Sequence, residues 1–516
     1  MPTKILSAAL IGLEARIIEV EADAGGGDFG QISIVGLPDT SVSEARERVK
    51  SALRNCPYEY PRRKITVNLA PTNIKKHGPA YDLPIAISIL ALKNEFAFDF
   101  SKAIMVGELS LSGAVRPVTG ILAIALKAKT AGIKTLFIPA ENLTEAQLIT
   151  GLTIFPVKNL EQMILFLKTG KNNFSSDDNS SSKNILSVNS FNNTEIIKNK
   201  DVDLALIKGQ SKAKRALEIA AAGGHNILLI GPPGSGKTFL AQALPSILPP
   251  LSAEEMLEVT NIYSVAGELK NNHLLISERP FRTPHHSAST TALIGGGTWP
   301  RPGEISLAHR GVLFLDEFPE FARSALENLR QPLEEKNINI NRAAGSLNFP
   351  CNFILIAAMN PCPCGYYGDQ KITCRCTEQQ IFNYKKKISG PILDRLDLHV
   401  TMPRVDFNEL ESKQAAESSA TVKLRVEKAR QRQASRFKKT SFTTNSDMTS
   451  AAVRNFCPLD SASLEIMKEA VAKLNLSSRS YFRVLKLART IADLNDSEQI
   501  LPTHLAEALQ YRPKIE

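Results

Sequence analysis

Gly231-Pro232-Pro233-Gly234-Ser235-Gly236-Lys237-Thr238-Phe239 follows the apolar run NILLI and opens the run TFLAQAL. That order predicts a strand, a tight loop and a helix. Its glycines let consecutive backbone N–H groups curl around a phosphate at the helix N-terminus, where the dipole favours an anion. Lys237 then reaches the β- and γ-phosphates and Thr238 offers its hydroxyl to Mg²⁺, the chemistry of G-x-x-x-x-G-K-[ST]. The segment from Gly231 to Phe239 is therefore the expected ATP site, and it calls for an open α/β sheet to carry it.

Gly311-Val-Leu-Phe-Leu-Asp316-Glu317 is an apolar strand ending in two carboxylates. Open α/β sheets bind ligands at that edge of their strands. Asp316 is the expected second Mg²⁺ partner, and Glu317 the group that activates a water for attack on phosphorus. A third run, 353–358, leads to Met359 and Asn360, which is either an amide orienting the water or a turn residue before Pro361. HNILLIG, GVLFLDE and FILIAAMN are β-runs of the kind parallel sheets bury on both faces. Residues 201–405 thus predict an α/β core with helices on both sides, and 406–516 read as a helical subdomain packed on it. Within these stretches Arg395 stands in Leu393-Asp394-Arg395-Leu396-Asp397 and Arg479 in Ser477-Ser-Arg479-Ser. Structural ion pairs are the commoner fate of such arginines.

With 516 residues, 43% hydrophobic and 22% charged, the chain is globular and long enough for several domains. No apolar stretch approaches bilayer length, 83–92 being the longest, so no membrane partner is expected. The start of the chain lacks a signal-peptide pattern. Seven cysteines, four of them crowded into 362–376, suit a reducing compartment, and a cytoplasmic location is expected. The stretch 170–200 is dominated by Ser and Asn and reads as a flexible linker. Before it, 1–169 is a mixed α/β domain with strands in ISIVGLP and KITVNLAP, a buried helix in LPIAISILAL and a closing strand in TLFIPA. The net charge of +10 concentrates in 423–439, where eight basic residues face the single Glu427. That run is either a solvated helix face or a nucleic-acid contact.

Cys362-x-Cys364 and Cys374-x-Cys376 supply four thiolates, the set a closed structural Zn²⁺ site needs. Free reduced thiols are the plainer alternative. His285 and His286 lack a third ligand and read as a polar loop. Gly295-Gly-Gly-Thr-Trp299-Pro-Arg301 is expected to be a loop in which Trp299 stacks on a base and Arg301 meets a phosphate.

The phosphate loop, the LDE strand, the MN turn, DRLD and SSRS, in this order, resemble AAA+ ATPases of the magnesium-chelatase-like clade. The stretch FRTPHHSAS to RPGEISLAHRG, with MNPCPCG, resembles the YifB/ComM family across almost the whole chain, the linker excepted. The resemblance implies an AAA+ P-loop core with a helical lid, preceded by an α+β, Lon-protease-like (ribosomal S5 domain 2-like) ChlI domain. It implies Lys237 and Thr238 for ATP and Mg²⁺, Asp316 and Glu317 as the Walker B pair, and Asn360 as sensor 1. Arg395 becomes the arginine finger reaching a neighbour's ATP, and Arg479 the sensor 2 contact to γ-phosphate, with Arg483 and Arg489 on the same helix as alternatives. It further implies a homo-hexamer around DNA. Members of the ComM type are helicases for branch migration, integrating single-stranded DNA by homologous recombination during natural transformation. Single-stranded, double-stranded and branched DNA, a recombinase and other competence proteins are the implied partners. A protein-remodelling AAA+ ATPase and a magnesium chelatase motor subunit are the alternatives.

Val106-Gly-Glu-Leu-Ser-Leu-Ser-Gly-Ala-Val-Arg-Pro-Val through Gly132-Ile-Lys-Thr-Leu-Phe-Ile-Pro resembles the proteolytic domain of Lon. Its Ser–Lys dyad needs a hydroxyl and an amine. Here Ala80 stands in the nucleophile position and the Lys position falls near Ile124, so peptidase activity is not expected. A domain that binds DNA or a partner remains, with Arg62-Arg63-Lys64 and Lys75-Lys76-His77 as basic candidates.

Overall fold

The computed structural model describes residues 2–25, 31–59, 61, 63–96, 98–170, 202–269, 275–297, 300–342, 345–405 and 416–512. The expected linker, apart from Gly170, lies outside the described residues, as do Arg62 and Trp299.

The leading part is built on a seven-stranded sheet. Its strands are β1 (Thr3–Ile11), β2 (Glu14–Gly25), β3 (Ile32–Val35), β4 (Lys64–Ala70), β5 (Ala103–Met105), β6 (Thr135–Pro139) and β7 (Thr153–Val157), in the order β3-β4-β2-β1-β5-β6-β7. β1 and β2 form an antiparallel hairpin paired from Thr3↔Ala22 to Ile11↔Glu14. The opening residues are therefore a sheet strand. The segment TLFIPA is β6 but does not close the domain, because β7 pairs with it in parallel and helix Leu160–Thr169 follows. Helix Asp82–Ala91 buries every residue from Asp82 to Leu90, as its unbroken apolar pattern requires.

The second part is a five-stranded, wholly parallel sheet. β8 (Ile227–Ile230), β9 (Phe281–Arg282), β10 (Val312–Leu315), β11 (Ile354–Met359) and β12 (Leu398–Thr401) run in the order β9-β10-β11-β8-β12. The three central strands, β10, β11 and β8, are apolar throughout because helices cover both faces, and Leu313, Phe314, Leu355 and Ile356 are at most 1% exposed. β8, β10 and β11, the three strands legible in the sequence, sit side by side, so their C-terminal ends converge on one edge. Residues 419–509 are mostly helical. The helix Ser419–Arg436 buries Val422, Val426, Ala429 and Gln433, a spacing of four, three and four that puts one stripe on the core. Helices Ser461–Leu474, Ser478–Leu494 and Pro502–Leu509 complete the bundle.

The two α/β bodies touch at the turn after β1 and at the segment between β6 and β7. Asn261 Nδ2 donates to Leu13 O at 3.0 Å, and Ser264 Oγ donates to Glu145. Among the described residues no helix is long and apolar enough to cross a membrane.

Candidate active site

The loop between β8 and helix Lys237–Ile247 keeps Gly234 at φ 77° and Gly236 at φ 85°, a region that L side chains enter at a cost. Gly231 is held for a different reason: a Cβ there would come within 2.5 Å of Met402 O. Lys237 Nζ lies inside the loop, donating to Gly231 O (2.7 Å), Pro232 O (3.0 Å) and Asn360 Oδ1 (3.2 Å). Burial lowers its pKa, with Asp316 opposing. An ammonium that has lost water and holds only neutral acceptors is an attractive partner for an incoming phosphate.

Across the edge, Thr238 Oγ1 donates to Asp316 Oδ2 at 2.8 Å. This hydroxyl and carboxylate are close enough to share one small cation, as Mg²⁺ sites require. Asp316 Oδ1 accepts from the Glu317 backbone N–H at 2.9 Å, and Glu317 adopts φ 51°. The elements thus bring Lys237, Thr238, Asp316, Glu317 and Asn360 together in one cavity of about 630 Å³. Pro233, Gly234, Ser235, Gly236 and Phe239 line it too, and so do His285 and His286, whose sequence context alone reads as a polar loop.

Arg395 and Arg479 are elsewhere. Arg395 is 6% exposed and its Nη2 lies 2.5 Å from Glu334 Oε1. Arg479 Nη2 meets the same oxygen at 3.5 Å. Arg395 lines a second cavity of about 530 Å³ with Glu334, Asp397, Arg483 and Lys486, and no residue lines both cavities. Neither arginine lines the cavity that Lys237, Thr238, Asp316 and Glu317 share. Of the alternatives, Arg483 is bonded to Asp397 at 3.1 Å. Arg489 is 2% exposed and donates to Ser497 O and Glu498 O, both at 2.6 Å.

Four sulfurs gather directly after Asn360. Cys362 Sγ is 3.3 Å from Cys364 Sγ and 3.7 Å from Cys374 Sγ, Cys364 and Cys374 are 3.6 Å apart, and Cys376 completes a group within 4.8 Å. A tetrahedron of Zn–S bonds near 2.3 Å has edges of about 3.8 Å, so the set fits one zinc ion. Backbone N–H groups of Tyr367, Cys364 and Cys376 donate to Sγ atoms of the cluster. The loop also leans on the phosphate loop, since a Cβ on Gly365 would meet Pro233 Cδ at 2.6 Å.

The four arginines of the basic run 423–439, half of its eight cations, are engaged within the fold. Arg425 bridges Glu218 and Glu417, Arg430 donates to Ala221 O, Arg432 pairs with Asp496 and Arg436 with Asp493. In the leading domain Lys76 is fully buried, donating to Gly36 O at 3.0 Å. It is not a surface cation. Ala80 packs against the apolar cluster that contains Ile124.

Comparison with known proteins places these features in a family. The family described as "Magnesium chelatase, subunit ChlI" matches residues 203–410, "Subunit ChlI of Mg-chelatase" matches 18–142 and "Magnesium chelatase, subunit ChlI C-terminal" matches 416–512. YifB of Escherichia coli K12 is 43% identical over 507 residues, 98% of this chain and 96% of that protein. Competence protein ComM of Haemophilus influenzae is 42% identical over 521 residues, 99% of this chain and 97% of that protein. Lon protease of Methanosphaera stadtmanae is 28% identical over 142 residues, 26% of this chain and 17% of that protein. With a parallel sheet presenting its phosphate loop and paired carboxylates at one edge, and with relatives matched from end to end, the chain belongs to the YifB/ComM family of magnesium-chelatase-like AAA+ proteins.

Proposed function

We propose that the protein is a Mg²⁺-dependent ATPase working as a ring of identical subunits on DNA, a helicase that promotes branch migration and integration of single strands during natural transformation. The observation that carries the ATPase is the convergence of Lys237, Thr238, Asp316, Glu317 and Asn360 on one cavity. Lys237 exchanges its carbonyl partners for phosphate oxygens. Thr238 and Asp316 hold the Mg²⁺, which neutralises charge on the β- and γ-phosphates when bound. Glu317 takes a proton from the attacking water, and Asn360 holds Lys237 and faces the γ-phosphate position.

The ring reading rests on Arg395 and Arg479. Both sit on a face that the nucleotide cavity of their own chain does not share. A guanidinium stabilises transferring phosphoryl only when it reaches it, so these arginines complete the site of a neighbouring copy, in a head-to-tail interface that closes as a ring. Similarity over nearly the full length to a protein named for competence supports DNA as the substrate. The helices from 419 onward act as the lid that joins one site to the next. Cys362, Cys364, Cys374 and Cys376 hold a structural Zn²⁺ that staples the loop beside Pro233.

ATP turnover with and without single-stranded DNA, with Glu317→Gln as control, tests this reading. Stimulation by DNA that the variant abolishes is expected. Turnover indifferent to DNA but stimulated by unfolded protein would transfer the protein to the remodelling ATPases.

A further inference from the structure

His286 Nδ1 lies 3.0 Å from Glu317 Oε2. The fold makes this contact. β9 pairs with β10 in register, Phe281↔Val312 and Arg282↔Leu313, so the chain leaving β9 runs to the edge that carries Asp316 and Glu317. Arg282 fixes that exit through Glu304, at 2.6 and 2.7 Å, and Glu268, at 3.1 Å. The His286 ring is itself supported, 4.1 Å from the His285 ring and edge-on to Phe321 at 6.5 Å.

Glu317 needs such a partner. Its side chain is 58% exposed, and among the described residues His286 is the one side chain paired with its carboxylate. Its backbone sits at φ 51°, a conformation that costs a non-glycine residue energy and that clusters at functional sites. A strained backbone aims the side chain into the cavity, yet an exposed carboxylate on two methylenes still samples many rotamers. Contact at Oε2 removes that freedom and leaves Oε1 for the water.

We infer that His286 is the positioning residue of the hydrolytic site, holding the Glu317 carboxylate in the orientation in which it accepts the proton of the attacking water. This rests on the ATPase reading above. The segment also leads from His286 to Ser289, the N-cap of helix Thr290–Ile294, and on to Gly295 and Gly296, which pair with Pro302 and Arg301. A ligand that moves this insert therefore moves the residue that orients Glu317.

The test compares His286→Ala, His286→Asn and Glu317→Gln in full-length protein, measuring kcat and KM for ATP, affinity for a fluorescent ATP analogue, and Tm. Asn retains an N–H for the carboxylate and Ala does not. The expected result is a kcat loss of about tenfold or more for His286→Ala, a fraction of the 10²–10⁴-fold typical of general base catalysis. KM and analogue affinity should stay within about threefold, with most of kcat restored by His286→Asn and no further loss on adding His286→Ala to Glu317→Gln. A kcat within about twofold of the parent, a loss carried by KM and analogue affinity, or a loss that Asn leaves unrestored would each overturn the inference. A parent protein with no turnover, or with turnover independent of Glu317, would instead remove the ATPase reading on which it stands.

Discussion

Arg395 and Arg479 share one carboxylate oxygen, Oε1 of Glu334, at 2.5 and 3.5 Å. They are 84 residues apart in sequence, one before β12 and the other in the first turn of helix Ser478–Leu494. Arg395 is nearly buried while the Arg479 side chain is 59% exposed. Glu334 therefore neutralises a pair of guanidinium groups, neither of which lines the phosphate-loop cavity, and among the described residues the buried Arg395 Nε has no partner. A phosphate docking against them competes with Glu334 for both.

If these arginines serve a neighbouring copy, Arg395→Ala binds nucleotide normally and loses turnover by about 10³-fold, the low end of what an arginine finger contributes. Mixing it with the equally inactive Lys237→Ala should restore activity. In randomly mixed rings an intact phosphate loop meets an intact arginine at roughly a quarter of the interfaces. Activity recovered on mixing, measured as phosphate release, checks this. No recovery from variants shown to co-assemble would place Arg395 outside the composite site.

The cysteine loop predicts a link between metal and nucleotide. Gly365 lies against Pro233, and Cys362 is two residues beyond Asn360, which accepts from Lys237. Removing zinc with a strong chelator should lower Tm by roughly 4–8 °C, corresponding to about 2 kcal/mol in a domain of this size, and weaken binding of an ATP analogue. One zinc released per chain, assayed colorimetrically, is the expected stoichiometry. Cys374→Ser should reproduce both effects. Undiminished analogue binding in the metal-free protein would sever the link.

His225 is fully buried between Asp397 (3.1 Å) and Thr490 (2.8 Å). Burial lowers its pKa, Asp397 opposes, and Lys486 and Arg430 add to the lowering. The unfolded chain takes up a proton near 6.5 that the native chain refuses, so His225 contributes stability present above that pH and lost as pH falls below it. His225→Gln should be less stable than the parent at pH 7.5. Its stability should nevertheless fall less steeply between pH 6.5 and 5, by up to about 1.4 kcal/mol per pH unit. Parallel denaturation curves for the two proteins across that range would show that His225 does not titrate on unfolding.

The gathering of Lys237, Thr238, Asp316 and Glu317 at one sheet edge was legible because its parts are local: a glycine pattern bounded by apolar runs, and carboxylates at the end of an apolar strand. The sheet followed from those runs. What escaped was made by distance. His225 meets Thr490 across 265 residues, and no local pattern marks either. His286 escaped because β9 is two residues long, too short for a period, although it alone delivers the histidine to Glu317. The hairpin of β1 and β2 escaped because an apolar start followed by Glu14 and Arg16 resembles a failed leader more than two paired strands. The run 423–439 was visible as charge, but the Glu218, Glu417, Asp493 and Asp496 that absorb it lie outside the run.

The pairing of Arg436 with Asp493 separates two kinds of basic residue in this run, one inside the helix and one just after it. Arg436 donates to both oxygens of Asp493, whose side chain is 0% exposed and which also accepts from Arg489 and Asn445. Arg436→Ala strips a buried carboxylate of part of its compensation, and such losses cost about 3–5 kcal/mol. Tm should therefore fall steeply, and any loss of DNA binding should follow from unfolding. Lys438 and Lys439 are exposed in the turn that follows this helix, and replacing exposed residues usually changes stability by less than about 0.5 kcal/mol. If this run touches DNA, it does so through such lysines. Lys438→Ala/Lys439→Ala should then keep its Tm while its DNA affinity falls and becomes less salt-dependent, the slope of log K against log[salt] dropping by about one for each phosphate no longer neutralised. Unchanged affinity and slope in that variant would leave the helix a purely structural strut.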